Sequence, residues 1–219
     1  MNFNYAKARK LMVENQLRPN KIKDPVILNI FKNIPKENFI PKEMSSISYS
    51  DIDISLGSNR GYLKNLHIAQ LISHAELSKK HKILHLGALT GYVTEILANL
   101  CLKVYAIETD ESLNIILNNN IKNINSNNIE IVNGSFKFGY KYKAPFDRIF
   151  IDSTVKKIDN EILDQLSNDS GKIIFIERTN KYISKAFKTT KNNNNYSKKY
   201  LFDVFTTYEL FNQKEGFKF

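Results

Sequence analysis

The segment Gly87-Ala88-Leu89-Thr90-Gly91 separates a short apolar run at 82–86 from a helical pattern at 91–100. Glycines at both ends of such a turn permit tight geometry and close approach of a ligand to the backbone. The helix that follows offers N-terminal amides. Glu108 stands seventeen residues after Gly91, at the end of a second apolar run, 103–107. An acid at a strand tip can accept hydrogen bonds from both hydroxyls of a ribose. Loop and acid together point to a nucleoside-bearing cofactor. The dinucleotide fingerprint needs a glycine where Leu89 stands, because a pyrophosphate must approach the backbone there, so NAD is disfavoured. A cofactor without phosphates, such as S-adenosylmethionine, tolerates a side chain at that point.

Other reactive types are sparse. The single cysteine, Cys101, excludes an intrachain disulfide and a cysteine-built zinc site. It reads as a small buried apolar side chain, and no metal is expected. His85, at a strand end, reads as a packed core residue in preference to a catalytic one. Cysteine usage makes a reducing cytoplasm the default location. The first residues carry charge with no apolar stretch behind it, so no secretory signal is expected. No apolar run is long enough for a membrane span.

Several elements must position the loop and the acid. Apolar spacing predicts a helix from residue 5 to about 16. A second starts at Asp24-Pro25, with Asp24 as cap and Pro25 in the first turn, and Pro35 ends it. An irregular stretch runs to Gly57, and a helix over 66–75 follows. Strands are expected at 82–86, 103–107, 129–132, 146–151 and 172–176, with helices at 91–100, 112–121 and 158–166 between them. This alternation implies a mostly parallel sheet covered on both faces. The segment 179–199, with Lys191-Asn192-Asn193-Asn194-Asn195, reads as a polar loop. Residues 200–208 regain strand character. A turn near 212–216 and the final Phe217-Lys218-Phe219 suggest an antiparallel hairpin at the sheet edge.

The chain has 219 residues and a net charge of +10, which raises nucleic acid as a partner. Only five of the 32 basic residues are arginine, at 9, 18, 60, 148 and 178. Base readout favours bidentate arginine, so the excess reads as general lysine enrichment and no specific nucleic-acid partner is expected.

Beyond these features, the chain resembles the protein-L-isoaspartate O-methyltransferase family over nearly its whole length. The most specific part is N-terminal: Met12-Val13, Gln16-Leu17, Ile22, Asp24, Val26, Ile34-Pro35, Glu37-Asn38-Phe39-Ile40-Pro41, Tyr49, Asp51 and Ile54 through Gly57. Later matches include Gly91-Tyr92, Thr94, Leu97-Ala98, Glu108, Gly134, Gly139-Tyr140, Ala144 through Ile149, Ile158, Leu163 through Leu166, and Gly171. The resemblance implies an α/β class I methyltransferase (Rossmann-like) fold with a C-terminal antiparallel edge hairpin. It also implies S-adenosylmethionine as cofactor and repair of proteins carrying isoaspartyl residues. One domain is expected over 1–219, with a mainly helical extension at 1–60 and a cofactor-binding core at 61–219, as a monomer or weak dimer. The implied cofactor residues are Gly87, Ala88, Gly91, Glu108, Thr109, Ser135 and Phe136. Tyr62, Leu63 and Lys64 fall on the family's substrate segment, with Lys64 at its serine position as the catalytic candidate. Four positions depart from the family pattern: Lys64, His85 for an acid, Leu89 for the middle glycine, and Ser135 for an acid. They leave open a methyltransferase-fold protein whose repair activity is lost or altered.

Overall fold

The computed structural model describes residues 3–180, 183–193 and 195–210. Seven strands form the main sheet in the order β5-β4-β3-β6-β7-β8-β9. These are β3 (Lys82–Leu86), β4 (Lys103–Ile107), β5 (Ile129–Ile131), β6 (Arg148–Val155), β7 (Asp169–Arg178), β8 (Ser184–Asn192) and β9 (Asn195–Val204). The first five pair in parallel, and β7, β8 and β9 pair antiparallel. A separate two-stranded hairpin joins β1 (Ile54–Gly57) to β2 (Arg60–Tyr62).

Both faces of the sheet are apolar, as helix-covered parallel strands require. Ile83, Val104, Ala106 and Phe150 face one core; Leu84, Leu86, Tyr105, Ile107 and Ile149 face the other. Helices α1 (Tyr5–Met12), continued by a π-helical turn, α2 (Pro25–Asn33), α3 (Asn65–Ala75) and α4 (Tyr92–Ala98) lie on the first side. Met12, Leu17, Phe31 and Phe39 therefore share a core with the sheet itself. Asp24 caps α2 by accepting from the Val26 amide at 2.8 Å, with Pro25 in its first turn. Asp110 does the same for α5 (Glu111–Ile124), accepting from Leu113 N. The helix expected at 158–166 is a single turn, α6 (Asn160–Leu163).

Two readings of the sequence are corrected. Most of 179–199 is strand: β8 and β9 pair antiparallel as far as Asn192 opposite Asn195. Its inward positions are Ser184, Ala186, Thr189 and Lys191, so the alternation is carried by small and polar residues that hydropathy does not flag. The stretch before Gly57 contains strand β1, whose hairpin turns through Ser58 and Asn59, both at positive φ. The turn at 212–216 and the final Phe217-Lys218-Phe219 lie outside the described residues. Cys101 is buried, and no helix among the described residues is long and apolar enough to cross a membrane.

Candidate functional site

The chain runs from β3 outward to β4 and β5, then returns to place β6 on the other side of β3. Such a reversal leaves a crevice at the carboxyl ends of the strands, the usual ligand position in open α/β sheets. A cleft of about 810 Å³ opens there. Thr109 beyond β4, Ser135 and Phe136 beyond β5, and Lys156 and Lys157 beyond β6 line it, together with Arg60 from the hairpin.

Three of the expected cofactor residues, Thr109, Ser135 and Phe136, thus share one cavity wall. The others are placed differently. Ala88 is buried within the turn, and Gly91 sits against Leu117 and Ile121 of α5. Gly87 is covered: a methyl group there would lie 2.5 Å from Leu210 Cδ1. Its φ of +87° is open to glycine and strained for other residues.

The amides of the turn and of Tyr92 are engaged within the protein, which corrects in part the expectation of free N–H groups at the helix start. Gly87 and Ala88 donate to Ile107 O, Leu89 to Glu108 Oε2, and Gly91 to Ala88 O. The Tyr62 hydroxyl accepts from Thr90 N at 3.3 Å and Tyr92 N at 3.0 Å. It also lies 2.8 Å from Thr90 Oγ1, which itself donates to Phe39 O. Burial, opposed by these bonds, pushes the Tyr62 phenol above its ordinary range. Tyr62→Phe should therefore cost about 1–3 kcal/mol, the scale for stranding buried donors. A urea melt shows this as a lower midpoint at unchanged slope, and a midpoint within error of the parent would exclude the anchoring role.

The expected substrate residues are also repositioned. Tyr62 and Leu63 are wholly buried and present no surface to a substrate. Lys64 does not line the cleft: its amide donates to Asp53 and its ammonium lies 3.2 Å from Asp51 Oδ2. His85 is buried, 3.0 Å from Thr94 Oγ1 and 3.3 Å from Asp152 Oδ1, and its ring meets Phe150 edge-on.

Glu108 does not line the cleft: its side chain is fully buried behind Arg60, which does. Arg60 grips it with both terminal nitrogens, Nη1 to Oε1 at 3.1 Å and Nη2 to Oε2 at 2.7 Å. Oε1 also accepts from Thr109 N and Asp110 N, and Oε2 from Leu89 N. The guanidinium lies 5.2 Å from the Phe136 ring centroid. Arg60 escaped the reading of the sequence, although Gly57-Ser58-Asn59 is a turn signal that would have set it on a hairpin. Leu210 left no local signal.

Comparison with known proteins adds to this geometry. Residues 7–207 match the family described as protein-L-isoaspartate(D-aspartate) O-methyltransferase. A protein-L-isoaspartate O-methyltransferase of Herpetosiphon aurantiacus is 30% identical over 166 residues, 76% of this chain and 74% of its own. Protein-L-isoaspartate O-methyltransferase 1 of Syntrophobacter fumaroxidans is 29% identical over 172 residues, covering 78% and 80%. A solved protein-L-isoaspartate O-methyltransferase superposes on 91% of this chain with a TM-score of 0.78 at 20% identity. This chain spans 65% of that molecule's length.

Proposed function

The chain belongs to the protein-L-isoaspartate(D-aspartate) O-methyltransferase family, and from that membership we propose that it methylates the free carboxylate of L-isoaspartyl residues in proteins. The observation that carries this reading is the family match across nearly the whole chain, residues 7–207, including the N-terminal helices. S-adenosylmethionine, the methyl donor of the family, supplies an electrophilic methyl group on its sulfonium.

The cleft suits an adenosyl group in the kinds of residue it assembles, the aromatic Phe136 with polar Thr109 and Ser135, and the acid at the β4 tip lies just behind Arg60 of its wall. As it stands, however, the carboxylate that would take the ribose is engaged by Arg60. The acceptor carboxylate is ionised at neutral pH, its ordinary pKa being about 4, so the chain need supply no general base. Its task is alignment, which can contribute roughly 7–11 kcal/mol. Lys156 and Lys157 on the rim favour an anionic acceptor. Lys64 enters only if it leaves Asp51. A cytoplasmic location, in keeping with the single buried cysteine, and a monomer or weak dimer complete the proposal.

Methyl-labelled cofactor tests it. An isoaspartyl peptide should gain label and its aspartyl counterpart should not, since the two differ only in which carbon bears the free carboxylate. Cofactor binding with no label on the isoaspartyl peptide would refute the repair reading. Lys64→Ala should lower turnover if its ammonium orients the acceptor and leave it intact otherwise.

A further inference from the structure

We infer that Arg60 and the C-terminal strap, residues 206–210, form an internal latch on the cofactor site, so that an adenosyl ligand gains Glu108 only when the β1–β2 hairpin releases it. The inference rests on the function proposed above only in its choice of ligand.

Three observations carry it. First, Arg60 offers Glu108 two donors, one to each oxygen, as a pair of ribose hydroxyls would, and faces the ring of Phe136. With three backbone amides it brings Glu108 to five donors, leaving no acceptor capacity for a sugar. Second, the strap closes the same place from the other side. Glu209 N donates to Asn59 O at 3.1 Å, and Tyr208 O accepts from Thr154 Oγ1 at 2.6 Å. The Tyr208 ring lies over Gly61, and Leu210 over Gly87. Hairpin, strap and β6 are thereby stitched across the mouth of the β3 loop. Third, the closed form is imperfect. Arg60 is almost wholly buried, yet its Nε has no hydrogen-bond partner. A buried donor left unpaired offsets part of what the ion pair gains. The hairpin that carries Arg60 is not part of the main sheet, so it can move without breaking the main sheet's ladder.

Glu108 keeps its three backbone donors when Arg60 is removed, and loss of the guanidinium, which lines the cleft, opens the carboxylate to it. Arg60→Ala should then bind S-adenosylmethionine at least tenfold more tightly than the parent by titration calorimetry. Arg60→Gln, which keeps volume without charge, should also tighten binding. Hydrogen exchange on the parent supplies a second readout: saturating S-adenosylmethionine should speed exchange in residues 54–62. Equal or weaker binding by both variants, or a hairpin that stays as protected at saturation, overturns the latch. Parent and variants all failing to bind overturns it as well, because the site should be open without Arg60. Failure of the repair reading looks different: tighter binding by Arg60→Ala with no label on any isoaspartyl peptide refutes that reading and leaves the latch standing.

Discussion

Glu108→Ala should cost the fold about 3–5 kcal/mol, the usual penalty for removing one member of a buried ion pair. The loss has two parts. The guanidinium of Arg60 is left charged beside Phe136 with no acid against it. The amides of Leu89, Thr109 and Asp110 lose their acceptor together. Escape of Arg60 to water with its hairpin would move the cost toward the low end of that range. Arg60→Ala should be milder, because Glu108 retains the three amides and gains access to water in the cleft. In the double variant the stranded guanidinium no longer exists, so the two losses should add to less than their sum. Urea melts of the four proteins at low and moderate salt measure all of this. A loss below about 1 kcal/mol in Glu108→Ala would place the pair among solvent-exposed ion pairs and contradict its burial. Because the loop after β3 hangs on this carboxylate through Leu89, the same change should also weaken S-adenosylmethionine binding.

What could be read from the sequence followed from local pattern. The parallel strands announced themselves because both of their faces are buried, and runs such as Ile83-Leu84-His85-Leu86 have no other stable use between turn signals. Asp24-Pro25 fixed the start of α2 by capping chemistry alone. Strand β8 escaped because its inward side chains are small or polar; Ala186 and Thr189 pack well against a neighbouring strand without registering as hydrophobic. The cleft wall at Thr109, Ser135 and Phe136 was reached through resemblance and strand order. The state of Glu108 was not legible, because its partner lies forty-eight residues earlier on a three-residue strand. Tyr62 was misread for a related reason. Its place in the family's substrate segment suggested contact with substrate, but its hydroxyl closes the start of α4 from inside the core. Long-range polar contacts leave no periodicity, so the residues that tune the site are those that sequence pattern cannot find.

Stability should rise with pH between 7 and 9, and the source should be Lys36. Its side chain is fully buried, with Nζ donating to Leu63 O at 3.3 Å and Asn65 Oδ1 at 3.1 Å. The rings of Tyr62 and Tyr92 lie 5.5 and 5.4 Å away. Burial pushes the ammonium down to about 7, and the charges of Asp53 and Asp152 offset this only in part. In the unfolded chain a lysine titrates near 10.4. Below the folded value both states carry the proton and the burial penalty is felt in full. Between the two values the unfolded chain binds more protons than the folded one, so stability climbs as pH rises, by at most about 1.4 kcal/mol per pH unit. Two groups work in the opposite direction: the Cys101 thiol, raised by burial to about 12, as its unfolded counterpart ionises at about 8.5, and the Glu95 carboxyl, raised by burial to about 7, until its own proton is lost. The net gain across pH 7–9 is therefore about 1 kcal/mol, because the Lys36 contribution outweighs these two opposing ones. Lys36→Met removes the titration and should flatten the slope, while lowering stability overall by stranding Leu63 O and Asn65 Oδ1. Urea midpoints at four pH values separate these effects. A parent protein whose stability is flat or falling across the window, or a Lys36→Met variant with the parent's slope, would show that the ammonium is not the source. Tyr62 and Tyr92 form the cage around Lys36, and Tyr62 also holds the start of α4, so exchange of the Thr90 and Tyr92 amides should slow with pH in the same window, once corrected for intrinsic rate.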